Sequence, residues 1–293
     1  MKKIGFLGLG SMGLPMSKNI VKKSGLPVLG FDVVQKQVDA FAEAGGIPAK
    51  DAIEIYKECD VIVQILPTHK IIRASIEDAA KYGKPGTIIV DMSSTAPDII
   101  QELYHTVKNA GMDLIDAPVS GGNPMANDGT LAIMAGGDKE VFDKVKPVLE
   151  YMGYPVYAGS TGIGDVTKLV NSMIGGSILI AIAEAYAFAA KAGLDLQTTF
   201  DATRCGFAGG PLYDNKVPKI IKRDYTPGAR IAVHRKDIIN AKHYAHRMGV
   251  DMPLMDVVLH VMDWMNDNGY IDEDQAALVK YYEDKMDVEI GHE

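Results

Sequence analysis

The sequence predicts an α/β fold: an N-terminal, doubly wound, mostly parallel sheet, followed by an all-α C-terminal domain entered through one long interdomain helix. Three observations predict it. From Lys3 to about Gly159, short apolar β-rich runs alternate with amphipathic helical stretches, the pattern of a sheet covered on both faces. After Gly159 the strand pattern stops. From about Asp165 to Ala192 runs a very apolar helical stretch, longer than an average helix and apolar on most sides. A chain of 293 residues accommodates two domains of ordinary size, expected at 1–161 and 162–293.

Ile4–Leu7 is the first strand, and it runs straight into Gly8-Leu9-Gly10-Ser11-Met12-Gly13 and a helix over Met12–Lys23. A strand, a Gly-x-Gly-x-x-Gly turn and a helix start form a pyrophosphate-binding arrangement, the opening of a Rossmann domain. Gly8 allows the tight turn, Gly10 lets phosphates approach the main chain, and Gly13 lets the helix pack on the strand. All six residues of the turn are candidate cofactor contacts. The second strand, Val28–Phe31, is followed by Asp32, nineteen residues past Gly13. A carboxylate there accepts hydrogen bonds from the adenosine ribose hydroxyls and repels a 2′-phosphate. Val33 and Val34 follow where a phosphate site would favour arginine or serine, so the expected cofactor is NAD rather than NADP, with Lys36 the one exception to that pattern.

Further strands are expected at Val61–Leu66, Thr87–Asp91, Asp113–Asp116, Leu131–Ala135 and Val156–Tyr157, with helices among them such as Lys36–Ala44, Ala96–Ala110 and Lys139–Met152. Ligands of such sheets sit at the carboxyl ends of the strands, which directs attention to the residues there. Leu66-Pro67 closes one strand, with a proline that bends the chain and offers no donor. Ser93-Ser94 follows another; these hydroxyls either meet the cofactor or cap the helix opening near Pro97. In Asp116-Ala-Pro-Val-Ser120-Gly121-Gly122-Asn123, a serine and two glycines after a strand leave backbone amides free to converge on an anion such as a substrate carboxylate.

Ser160–Asp165 is a turn-rich hinge, and Lys168 and Asn171 lie three apart, on one face at the start of the long helix. A lysine followed by so apolar a helix either snorkels to solvent or sits in a cleft, and burial lowers its pKa from about 10.4 toward the range of a neutral-pH acid/base. Lys236 offers a second cation, while Arg204, Arg230 and Arg235 are candidate carboxylate anchors. The rest reads as helices over Leu196–Arg204, Leu212–Lys222, Val233–Met248, Pro253–Asp267 and Asp274–Met286, ending in an acidic, frayed tail from Glu283 to Glu293.

Composition narrows the partners. A net charge of −8 argues against nucleic acid, which needs a basic face. Two cysteines, Cys59 and Cys205, do not make a disulfide framework. His243 and His246 lack a third ligand nearby, so no metal is expected. The lysines before the first strand are not expected to begin a signal peptide, because glycines break the apolar run. Glu184 within residues 173–190 favours a buried core helix over a membrane span. The expected location is cytoplasmic.

Four segments in order, Gly8–Gly13, Asp116–Gly122, Gly162–Asn171 and Lys236-Asp237, resemble the β-hydroxyacid dehydrogenases, the group containing 3-hydroxyisobutyrate dehydrogenase, tartronate semialdehyde reductase and 2-(hydroxymethyl)glutarate dehydrogenase. The resemblance implies reversible NAD-dependent hydride transfer at the alcohol carbon of a small 3-hydroxy acid. It makes Lys168 the acid/base and Asn171 the residue that orients substrate. Ser120, Gly121 and Gly122 would hold the carboxylate, and Lys236 would lie beside cofactor and substrate. Leu66, Pro67 and Ser94 fall on cofactor-contact positions, and the long helix implies a homodimer or homotetramer. Three features depart from the family pattern: Ser172 where many relatives carry a second asparagine, Ala229 in place of an aromatic, and the segment Thr203–Pro211. Rival readings are a phosphogluconate-type decarboxylating dehydrogenase, an imine reductase, and a dinucleotide-sensing module without chemistry.

Overall fold

The computed structural model describes residues 1–290. The chain forms two compact units, Met1–Lys168 and the remainder from Leu169.

The first unit carries nine strands among the described residues: β1 (Ile4–Leu7), β2 (Val28–Phe31), β3 (Ile47–Pro48), β4 (Val61–Gln64), β5 (Ile88–Asp91), β6 (Asp113–Asp116), β7 (Val119–Ser120), β8 (Leu131–Gly136) and β9 (Gly153–Gly159). They form one sheet in the order β3-β2-β1-β4-β5-β6-β8-β7, with β9 paired to β8. The six strands from β3 across to β6 are parallel. Beyond them β8 runs antiparallel to β6 and β7, while β9 is parallel to β8. Helices α1 (Gly13–Ser24), α2 (Gln35–Glu43), α3 (Ala52–Glu58), α4 (His69–Tyr82), α5 (Pro97–Asn109), α6 (Gly122–Asp128) and α7 (Lys139–Leu149) belong to the same unit.

Period-2 alternation explains why the central strands read as continuous apolar runs. In β4, Val61 and Val63 enter one core with Met16, Ile20 and Val145, while Ile62 enters the opposite core with Ile55, Ile72 and Leu103. Both faces are covered, so neither half of the alternation is polar. Two local expectations are corrected: the strand expected to reach Leu66 stops at Gln64, and the pair Val156–Tyr157 extends to the whole of β9. The glycine-rich segment after Ser120 opens α6. Helix α6 rests on a long-range partner: the Asn19 amide of α1 donates to the carbonyls of Ala126 and Asn127 at 2.9 and 3.2 Å.

Helix α8 (Ile163–Lys191) begins in the first unit and continues into the second. The second unit adds α9 (Leu196–Thr203), α10 (Pro211–Ile221), α11 (Ile231–Arg247), α12 (Pro253–Asp267), a 3₁₀ turn (Gln275–Leu278) and α13 (Val279–Met286). Its core packs Leu179, Ala183 and Tyr186 of α8 against Val217, Ile238, Val258 and Met262. An apolar 18-residue stretch of α8 is 44% buried within the protein. Its length and composition would permit a membrane span, yet Leu179, Ala183, Tyr186 and Ala187 are core residues.

A buried ion pair staples this unit. Lys216 donates to Asp274 Oδ1 at 2.8 Å, and the same carboxylate accepts the amides of Gly228, Ala229 and Ala276. The expected frayed tail is also corrected. Glu283 and Ile290 are buried, and Arg223 Nη1 donates to Glu283 Oε1 and to the Ile290 carbonyl at 2.6 and 2.8 Å. Residues 291–293 lie outside the described residues.

Candidate active site

The three glycines of the first turn differ in what requires them. Gly8 has φ +88°, and a Cβ there would lie 2.3 Å from the Ile65 carbonyl oxygen. A Cβ on Gly13 would lie 1.8 Å from the Gly8 carbonyl, so α1 packs on the turn only through glycine. A Cβ on Gly10 would meet no protein atom within 4 Å. Among the described residues no atom crowds this position, and such open backbone is what close approach of a phosphate requires. No side chain caps α1, and its first turn holds no acid, which leaves its N-terminal amides and dipole to an anion. Ser11 and Gly10 are exposed, Met12 is half-buried, and Leu9 is buried.

Asp32 lies just past β2. Its Oδ2 accepts the Leu9 amide at 2.6 Å and its Oδ1 accepts the Val34 amide at 2.8 Å. It lines a cavity of about 510 Å³ with Phe31, Gln35, Val38, Pro48 and Lys50. Val33 is 91% exposed. A carboxylate at the edge of such a cavity can accept from ribose hydroxyls and repels a phosphate. Lys50 and Gln35 were not singled out in the sequence, because Lys50 reaches this cavity only through the β2–β3 pairing.

Leu66 is half-buried and Pro67 exposed. The Leu66 amide donates to Ser93 Oγ at 2.9 Å, and that hydroxyl donates to Asp91 Oδ1 at 2.6 Å. Ser93 therefore does not cap α5, whose N-cap residue is Ala96; it braces the turn that carries Leu66. Asp91 is fully buried and also accepts from Gln64 Nε2 and Thr95 Oγ1. Burial pushes its carboxyl above the usual carboxylate range against these donors. Ser94, the neighbouring candidate, is half-buried.

Ser120 ends β7, and Gly121 and Gly122 follow with φ of +135° and +65°, backbone that L side chains rarely adopt. All three are half-buried. The next residue ties this segment to the glycine turn: Asn123 Nδ2 donates to the Ser11 carbonyl at 2.6 Å. The structure thus joins two sequence motifs 112 residues apart.

Lys168, half-buried, belongs to the same unit and stands on the second turn of α8. Asp116 holds the start of that helix, accepting the Gly162 amide on Oδ1 at 2.8 Å and the Asp165 amide on Oδ2 at 3.0 Å. Burial pushes the Asp116 carboxyl up to about 6, partly offset by these amides.

Asn171 and Lys236 fall in the second unit, and both are half-buried. Ser172, beside Asn171, is buried and joins α8 to α11. Its hydroxyl donates to Asp237 Oδ2 at 3.0 Å, and its carbonyl faces His234 Nε2 at 2.8 Å. A carbonyl only accepts, so Nε2 carries the proton and Nδ1 accepts from Gln275 Nε2 at 3.0 Å. Lys236 lies 4.0 Å from Asp237 Oδ1. The departure at Ser172 therefore serves to connect the helix of Asn171 with the helix of Lys236. The three candidate arginines each meet an acid: Arg204 meets Asp214 at 3.3 Å, Arg230 meets Asp272 at 3.2 Å, and Arg235 meets Asp263 at 2.6 Å. Cys205 is exposed and Cys59 buried. Among the described residues no group of three or more His, Cys, Asp or Glu is placed to hold a metal ion.

Comparison with known proteins adds two family matches. Residues 3–162 match the NAD binding domain of 6-phosphogluconate dehydrogenase. Residues 162–282 match the NAD-binding domain of NADP-dependent 3-hydroxyisobutyrate dehydrogenase. The chain is 32% identical to the 2-(hydroxymethyl)glutarate dehydrogenase of Eubacterium barkeri, over 99% of this chain and 97% of that one. It is also 32% identical to the 2-hydroxy-3-oxopropionate reductase of Escherichia coli, over 96% and 97%. The structure of Mycobacterium tuberculosis 3-hydroxyisobutyrate dehydrogenase with L-serine superposes with a TM-score of 0.86 at 32% identity, covering 96% of this chain and 98% of that one.

Proposed function

The chain belongs to the β-hydroxyacid dehydrogenase family, and from that premise we propose that it interconverts a small 3-hydroxy acid and its semialdehyde, with NAD as hydride carrier. The substrate is of the 3-hydroxyisobutyrate, tartronate semialdehyde or 2-(hydroxymethyl)glutarate type. The Gly8–Gly13 turn, Asp32 and the Leu66, Pro67 and Ser94 positions would hold NAD, which would supply the hydride chemistry.

This chain's own residues bind, orient and move a proton. Ser120, Gly121 and Gly122 receive the substrate carboxylate on a hydroxyl and on amides that the two positive-φ glycines present. Lys168 takes the hydroxyl proton during oxidation and returns it to the oxygen during reduction. Its ammonium also offsets negative charge developing on that oxygen. Asn171 orients the substrate and Lys236 adds a second cation. The observation that carries this reading is the 2.6 Å bond from Asn123 to the Ser11 carbonyl, which joins the carboxylate segment to the cofactor turn in the unit that carries Lys168.

The match of residues 162–282 to the 3-hydroxyisobutyrate type favours this reading over a phosphogluconate-type decarboxylation. Exposed Ile174 and Phe188 on α8 favour a homodimer or homotetramer. We place the enzyme in the cytoplasm, with no nucleic acid or membrane among its partners. The test is NADH formation across a panel of hydroxy acids, with Lys168→Ala as control. The variant is expected to bind NADH normally and to turn over no substrate. Silence of the wild-type protein with every acid would favour the dinucleotide-sensing module.

A further inference from the structure

Three buried carboxylates, Asp91, Asp116 and Asp165, lie in the first unit at the carboxyl ends of β5 and β6 and in the first turn of α8. None is one of the residues assigned above to substrate or cofactor, and burying a carboxylate is costly unless it is fully hydrogen-bonded. They are linked. Asp116 accepts the Gly162 and Asp165 amides, and Asp165 Oδ1 accepts the Thr95 amide at 3.1 Å. Thr95 Oγ1 donates to Asp91 Oδ2 at 2.9 Å, and Asp91 holds Ser93, which receives the Leu66 amide. One buried chain of hydrogen bonds runs from the turn after β4 to the first turn of α8.

Two glycines make room for it. A Cβ on Gly136 would lie 2.8 Å from both Asp116 oxygens. A Cβ on Gly164 would lie 2.7 Å from Asp116 Oδ2 and 2.4 Å from the Met134 carbonyl. Gly164 thus lets the helix backbone approach this carboxylate. An apolar side chain at position 116 would pack the same space without a desolvated charge; it could not receive two amides of the helix start.

We propose that Asp116 is a positioning residue for Lys168: its carboxylate clamps the opening turn of α8 against β6 and, through Asp165, Thr95 and Asp91, keeps that opening turn in register with the turn after β4 that carries Leu66. The proposal rests on the reading of Lys168 as acid/base. Asn at position 116 keeps the volume but offers one acceptor oxygen for two amides.

The experiment compares wild type, Asp116→Asn and Lys168→Ala with NAD and the best acid of the panel. In Asp116→Asn, kcat is expected to fall about thirtyfold, within the roughly hundredfold that a 1 Å misplacement costs. The substrate KM and the NADH dissociation constant should change less than about threefold. The limb of the kcat–pH profile that reports Lys168 should move by about half a unit or more. If Asp116→Asn does not fold, Thr95→Val is the second variant; it keeps the amide to Asp165 and loses the hydroxyl to Asp91. Its kcat is expected to fall about fivefold, the equivalent of one ordinary hydrogen bond. An inactive Lys168→Ala beside a folded Asp116→Asn with wild-type kcat and pH profile would overturn the clamp and leave hydride transfer standing. Without a folded Asp116→Asn, wild-type kinetics in Thr95→Val would overturn it equally. A silent wild type, or an active Lys168→Ala, would remove the acid/base reading and the clamp with it.

Discussion

The Asp32 carboxylate accepts the Leu9 amide at 2.6 Å, so the acid after β2 and the glycine turn after β1 form one hydrogen-bonded piece. Replacing Asp32 therefore disturbs more than the ribose. The double variant Asp32→Ser with Val33→Arg is expected to raise the KM for NAD by about tenfold or more, the effect of losing a hydrogen bond to a charged group. It should also shift the kcat/KM ratio toward NADP. Steady-state kinetics with both cofactors checks this, and an unchanged ratio would refute Asp32 as the selector.

The bond from Asn123 to the Ser11 carbonyl makes a second expectation. Asn123→Ala frees the carboxylate segment from the cofactor turn. The KM values for acid and NAD should each rise about fivefold, the equivalent of ~1 kcal/mol, with kcat nearly unchanged. A fall confined to kcat would mean that this contact matters to the chemical step and not to binding.

Two carboxylates give stability opposite pH dependences. Burial raises Asp116 to about 6 from 3.8. The folded state therefore holds its proton where the unfolded chain has lost it, and this group's contribution, complete below 3.8, is lost as pH rises through 6. The Lys84 ammonium, with the Lys2 and Lys3 amides, holds Asp60 down at about 2 from 3.8. Its contribution is present above 3.8 and is lost as pH falls through 2. Thermal melts across this range should show Asp116→Asn reducing the decline between pH 4 and 6, the remainder coming from the likewise raised Asp91. Asp60→Asn should reduce the decline below 4, which Asp274 and Asp138, also held down, share. Profiles parallel to wild type would refute either assignment.

Asp274 holds the buried ion pair of the second unit together with three backbone amides. Asp274→Ala strands the Lys216 ammonium, itself 4% exposed, and leaves the amides of Gly228, Ala229 and Ala276 without their acceptor. Removing one partner of a buried pair costs about 3–5 kcal/mol. Urea unfolding should report a loss of that size, and a loss under about 1 kcal/mol, the scale of an exposed ion pair, would mean that water reaches Lys216.

Much of this molecule is written locally. β1, β2 and β6 run over the residues their apolar pattern marks, because strand periodicity is carried by neighbours two apart. The Gly8–Gly13 spacing, the acid after β2 and the two glycines after Ser120 are equally local, since each reflects what one stretch of backbone must do. The short helix α6 escaped that reading, because what stabilises it is Asn19, more than a hundred residues away.

The sequence by itself determined the α/β class, the glycine turn and the family, because periodicity and motif spacing survive in one dimension. Only the tertiary structure decided that Ser93 braces Leu66, that Arg204, Arg230 and Arg235 face acids, that the last helical turn and Ile290 pack under Arg223, and that Asp116 holds the helix of Lys168. Each of these depends on which side chains the chain's return brings within 3.5 Å. A hydrogen bond selects its partner by distance and direction, neither of which a sequence records.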